Sequence, residues 1–119
     1  MKKVYIAHPL RGSQPHTEEK CQKNIRLVTK LCLAISAEDK VIPFSPLHAF
    51  GYMNALKYDQ QRAMRHCYAL LDSCDELWVF GDWHSSQGCV MEVEHAESKG
   101  IPVRFMSVTT VLGGSDENI

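Results

Sequence analysis

Residues 74–96 read CDELWVFGDWHSSQGCVMEVEHA, and the fold turns on them. Glu76 to Phe80 is a run of strand formers with Asp75 before it and Gly81 after it. Gly81 to Ser86 is small and polar, and from Gln87 to Ser98 the composition is helical. A strand that enters a helix through a Ser/Gly loop is where α/β proteins bind anions and place reactive groups. Here Ser86 can present a hydroxyl and Gly88 a backbone N–H. Glu92, one turn into the helix on the Gly88 side, sets a carboxylate toward the same space.

Outward from this stretch the chain alternates strand and helix. Lys3–Ala7 is an expected first strand, left through the turn His8–Ser13. Thr17 precedes Glu18 and Glu19, acidic residues suited to a first helical turn, and Ile25, Val28, Leu31, Cys32 and Ile35 recur at helical steps to about Ala37. Val41–Phe44 is a second strand, with Pro43 marking a strand end or a sheet edge. Ser45–Tyr58 is a long connection of the kind that carries binding segments. Asp59–Leu71 is a second helix, Ile101–Met106 a fourth strand, and Thr109–Leu112 a possible short fifth strand. The order predicts a small α/β three-layer sandwich, Rossmann- or flavodoxin-like, on a parallel sheet of four to five strands. Residues 1–112 would form one domain and 113–119 a flexible tail. In such a sheet the loops at the carboxyl ends of the strands share one rim, which gathers His8–Ser13, Ser45–His48 and Gly81–Gly88.

The chain has 119 residues, 45% hydrophobic and 23% charged, with a formal net charge of −1. That suits a single globular core and points away from a nucleic-acid polymer or a membrane surface as partner. No apolar run reaches the ~18–20 residues of a membrane span, and the apolar stretch after Lys2 and Lys3 is too short for a signal peptide. Five cysteines, an odd number without a CxxC pair, argue against a disulfide framework or structural zinc and for a reducing, cytoplasmic setting.

At the rim, Arg11, Gly12, Ser13 and Ser85–Gly88 combine a guanidinium, hydroxyls and backbone amides, a set that suits one phosphate or a ribose hydroxyl. Neither GxGxxG nor GxxxxGK[ST] occurs, which disfavours dinucleotides and triphosphates. Glu92 and His95, at i and i+3, could meet on one helix face, but a metal site has no matching second pair. Cys89 lies in a first helical turn, where a thiolate is stabilised, and His84 could serve it as base; packing as a small residue is the alternative. His8 and His48 follow strands and could contact substrate or simply bond within their loops. Phe50, Tyr52 and Trp83, all in expected loops, could stack on a base.

Four of these segments together resemble the nucleoside 2-deoxyribosyltransferase superfamily, which includes 2′-deoxynucleoside 5′-monophosphate N-glycosidases. The opening strand and turn Tyr5–Gly12 (YIAHPLRG), the strand entry Cys74–Val79 (CDELWV), the segment Ser86–Ala96 (SQGCVMEVEHA) against S-x-G-x-x-x-E-x-G-x-A, and Gly100–Val103 (GIPV) carry the likeness. The resemblance implies that Glu92 is a nucleophile for the anomeric carbon of a deoxyribose. It implies that Arg11, Ser86 and Gly88 hold a 5′-phosphate, with Tyr5, His8, Gly12, Ser45, Pro46 and His48 as further substrate contacts. It implies no cofactor and a homo-oligomer in which a neighbouring copy completes a shallow cleft. Cleaving an N-glycosidic bond builds positive charge on the sugar, which a carboxylate stabilises or traps, while the base leaves with a proton. Two positions depart from the pattern. The family's aspartate on the helix before the strand entry has no counterpart in Arg65-His66-Cys67-Tyr68, and Glu94 stands where glycine is usual. These departures point to the alternative, a protein on the same fold that binds or sequesters a nucleotide derivative without catalysis.

Overall fold

A computed structural model describes residues 1–12, 14–53, 57 and 59–113. Four strands, β1 (Lys2–Ala7), β2 (Val41–Phe44), β3 (Glu76–Val79) and β4 (Val103–Phe105), form one parallel sheet in the order β2-β1-β3-β4. Among the described residues the helices are α1 (Glu18–Ser36), α2 (Pro46–Ala49), α3 (Gln60–Asp72), α4 (Gln87–Lys99) and α5 (Val108–Leu112). The α/β three-layer expectation holds, with four strands among the described residues.

Both central strands are buried on two faces, so their side chains feed two cores. Val4 and Ile6 point to one side and pack with Val28 and Leu31 of α1, with Phe80, and with Val108, Val111 and Leu112 of α5. Tyr5, Ala7, Leu77 and Val79 point to the other and meet Leu71 of α3 and Cys89, Val93 and Ala96 of α4. β2 is an edge strand, as Pro43 suggested; a residue without an N–H is tolerated there.

Local chemistry sets the helix ends. The Thr17 hydroxyl accepts from Lys20 N–H at the start of α1, and the Asp59 carboxylate from Gln61 N–H at the start of α3. The Ser86 hydroxyl accepts from Cys89 N–H at 3.2 Å to begin α4, and Gly100, at φ +73°, ends it in the left-handed conformation.

Three elements differ from the sequence reading. Within the expected long loop after β2, Ser45 caps the short helix α2, with Pro46 in its first turn. The possible fifth strand is instead α5, whose Val108, Val111 and Leu112 pack toward α1; their three- and four-residue spacing outweighs the strand propensity of Val and Thr. Residues 83–85, expected as loop, form one 3-10 turn. Of the tail read as flexible, residues 114–119 lie outside the described residues.

Candidate active site

From β1 the chain continues to α1 on one side of the sheet, and from β3 to α4 on the other, so the loops after β1 and β3 part at the carboxyl end of the sheet. A ligand crevice is expected at such a switch point. A cavity of about 780 Å³ opens there. Its walls come from the turn after β1 (His8, Leu10, Arg11, Gly12), from α2 and the chain after it (Pro46, Leu47, Phe50, Tyr52), from α3 (Gln60, Met64, Cys67) and from the start of α4 (Ser86, Gly88, Cys89, Glu92).

Glu92 closes the inner end. It is 5% exposed, and its carboxyl accepts a short hydrogen bond from the Tyr5 hydroxyl, itself fully buried beneath the cavity. Tyr5 reaches Glu92 because β1 and β3 are adjacent and α4 follows β3 across the face to which Tyr5 points. Burial pushes the Glu92 carboxyl up to about 7, and the Tyr5 hydrogen bond works against that rise. Burial likewise raises the Tyr5 phenol well above its ordinary range, the Glu92 charge adding to the effect. Cys67 of α3 sits beside this pair; burial, with the nearby Glu92 charge, holds its thiol at about 11. Near neutral pH the inner end therefore carries a phenol, a thiol and a carboxyl poised between its two forms.

The outer part carries the Arg11 guanidinium, with Glu18 of α1 also in the lining. Gly12, at φ +72°, turns the chain after Arg11, and the Arg11 guanidinium donates to the Gln60 side-chain oxygen at the start of α3. On the facing wall, the Ser86 hydroxyl accepts the cap bond from Cys89 N–H and also lies within hydrogen-bond reach of the Cys89 thiol. The first-turn N–H groups of Gln87 and Gly88 have no partner within α4. Such donors suit an anion chemically. His8 is buried; its Nδ1–H donates to Pro9 O at 2.8 Å, which leaves Nε2 as an acceptor, and burial lowers its basicity. Gly81, at φ +73°, passes so close that a side-chain carbon there would sit 3.0 Å from His8 Nε2.

The structure thus brings Glu92, His8, Arg11, Gly12, Pro46, Ser86 and Gly88 to the lining of one cavity and sets Tyr5 behind Glu92. It does not bring Ser45 and His48 to that lining. Ser45 caps α2 and its hydroxyl pairs with His48 Nδ1 at 2.7 Å, while His48 Nε2 pairs with Thr29 of α1 at 2.7 Å. Ser13 lies outside the described residues. His95 turns from Glu92 to Asp72, at 2.7 Å, and stacks on Tyr68, because α3 packs along that side of α4. Cys89 is a core residue whose thiol burial pushes up to about 12, the wrong direction for a nucleophile, and its supposed base His84 stacks on Trp83. All five cysteines are free. Phe50 and Tyr52 line the cavity, whereas Trp83 stacks against Phe105. Among the described residues no group of three or more His, Cys, Asp or Glu could hold a metal ion, and no helix is long and apolar enough to cross a membrane.

Sequence reading missed Gln60 and Cys67. Their positions on α3 face the cavity, but no motif links either to Arg11 or Glu92.

Residues 2–106 match a family described as a domain of unknown function, DUF7768, and the chain belongs to it. No curated protein matches the chain.

Proposed function

We propose that the cavity takes a nucleoside or its 5′-monophosphate and that Glu92 cleaves the N-glycosidic bond. The observation that carries this reading is the buried Glu92 carboxyl, held by the Tyr5 hydroxyl at the inner end of a cavity whose outer part offers Arg11, Ser86 and Gly88. An ionised Glu92 oxygen bonds the anomeric carbon as the bond to the base nitrogen breaks; the bond's electron pair stays on the base, which takes its proton from solvent water. Water then hydrolyses the glycosyl ester, or a second base takes the sugar. Tyr5 fixes the carboxylate's orientation, and the Phe50 and Tyr52 rings offer faces to the departing base. A second copy that covers the cavity mouth belongs to the same proposal.

The second reading is a protein that binds a nucleotide derivative without turning it over. It is favoured by α3, which presents the Cys67 thiol to Glu92 and no carboxylate. One assay separates the two. Purified protein is incubated with each deoxynucleoside and its 5′-monophosphate, beside Glu92→Ala, and free base is measured chromatographically. Base released by wild type alone supports the glycosidase and names its substrate. Equal release by both proteins refutes Glu92 as nucleophile. A nucleotide that raises the melting temperature saturably, with no base released, favours the binder.

A further inference from the structure

The Arg11 guanidinium is held by a neutral group. Its partner is the Gln60 side-chain oxygen, and among the described residues Arg11 makes no ion pair. Arginines that line cavities are commonly fixed by a carboxylate, which orients the fork but cancels its charge. Glutamine supplies the same acceptor oxygen at no charge. Among the described residues, the one carboxylate besides Glu92 that lines the cavity is Glu18, in the first turn of α1, and it makes no ion pair with Arg11.

Gln60 also spans the outer cavity. Its oxygen meets Arg11, and its amide nitrogen lies against Gly88, 3.6 Å from where a side-chain carbon on that glycine would stand. An amide with its oxygen on the guanidinium must aim its two N–H donors away from it, toward the start of α4. The Gln60 amide and the first N–H groups of α4 then add donors around the positive charge of Arg11.

We infer that Gln60 is a positioning residue that selects the ligand by charge. It orients Arg11 without pairing it to a carboxylate, so that the site favours a phosphate monoester over the neutral sugar or nucleoside. The inference deepens the proposed function by choosing between its two substrate classes, but it does not need the bond-cleaving step.

The test uses the full chain and a base-free pair of probes, 2-deoxyribose 5-phosphate and 2-deoxyribose, titrated by NMR shift perturbation into wild type, Gln60→Glu and Gln60→Ala. Gln60 begins α3 and is only half-buried, and thermal melts establish that both variants fold. Wild type is expected to bind the phosphate more tightly than the sugar. Gln60→Glu should weaken the phosphate by about tenfold or more, the scale of a lost charge-assisted hydrogen bond, with little change for the sugar. Gln60→Ala, which frees Arg11 without neutralising it, should weaken the phosphate by a smaller factor. Equal weakening in the two variants would reduce Gln60 to packing and overturn the inference, as would an unchanged phosphate affinity in Gln60→Glu or no saturable phosphate binding to wild type. Gln60-sensitive phosphate binding without base release would leave the inference standing and remove the glycosidase.

Discussion

Replacing Glu92 by glutamine should stabilise the protein, and increasingly so as the pH rises. The carboxyl titrates at 4.5 in an exposed setting and at about 7 in the fold, because burial penalises its charge more than the Tyr5 hydroxyl relieves it. The folded form therefore holds this proton more tightly than the unfolded chain does. Its contribution to stability is complete below pH 4.5 and is lost as pH rises through 7. At about 1.4 kcal/mol per pH unit the whole window amounts to roughly 3 kcal/mol, of which about 2.5 kcal/mol falls between pH 5 and pH 8. Glutamine keeps an acceptor oxygen for Tyr5 and has no proton to lose. Urea unfolding of wild type and Glu92→Gln at several pH values cancels every other titrating group in the difference between the two. That difference should move in favour of the variant by about 2.5 kcal/mol from pH 5 to pH 8, or roughly 10 °C in melting temperature for a chain of this size. Parallel pH profiles would refute the buried, proton-retaining carboxyl. A difference that moved the other way would mean that an unrecognised cation stabilises the ionised form.

The same geometry yields two shorter predictions. Tyr5→Phe removes the donor that lowers the Glu92 pKa, so the rising limb of kcat/KM for base release should shift to higher pH; an unmoved limb would detach Tyr5 from Glu92. Gly81→Ala places a side chain at φ +73° and 3.0 Å from His8 Nε2, and should cost about 1–3 kcal/mol in urea unfolding, with a cost below ~0.5 kcal/mol showing that the turn relaxes freely.

The fold was legible wherever one segment held its own instructions. Val41–Phe44 carries its strand in four residues, and Ser86 and Gly100 mark the two ends of α4 by capping chemistry alone. The rule that loops gather at the carboxyl ends of parallel strands then places Arg11, Ser86, Gly88 and Glu92 near one another from the sequence alone. That rule is coarse, and it failed where it lacked side-chain direction. It put Ser45 and His48 at the rim because they follow β2, but a helix begins there and both side chains turn to α2 and α1. A four-residue helix has no periodicity to read; Ser45 as cap and Pro46 in the first turn were its only marks. The Tyr5–Glu92 bond joins residues 87 apart, and no local pattern encodes it. It follows from strand order, which decides that β1 lies beneath α4. Likewise the i, i+3 rule paired Glu92 with His95, while α3 captured His95 through Asp72 and Tyr68.

The proposed reaction gives the two ends of the cavity a common electrostatic logic. A carboxyl at about 7 that loses its proton at some cost in stability is poorly explained as packing, since leucine or glutamine would fill the space without that cost. It makes sense where an ionised oxygen meets positive charge that develops on a bound sugar, because that charge is the counter-ion the free protein does not supply at Glu92. Arg11 shows the complementary arrangement: a full charge, oriented by a neutral amide, whose counter-ion would be the substrate's phosphate. A ligand with a phosphate at one end and a nascent cation at the other would satisfy both groups at once, while a neutral sugar would satisfy neither. Charge selection at Gln60 and proton loss at Glu92 are then coupled, and phosphate binding at the outer end should favour the ionised carboxylate at the inner end only when the sugar carbon between them bears positive charge.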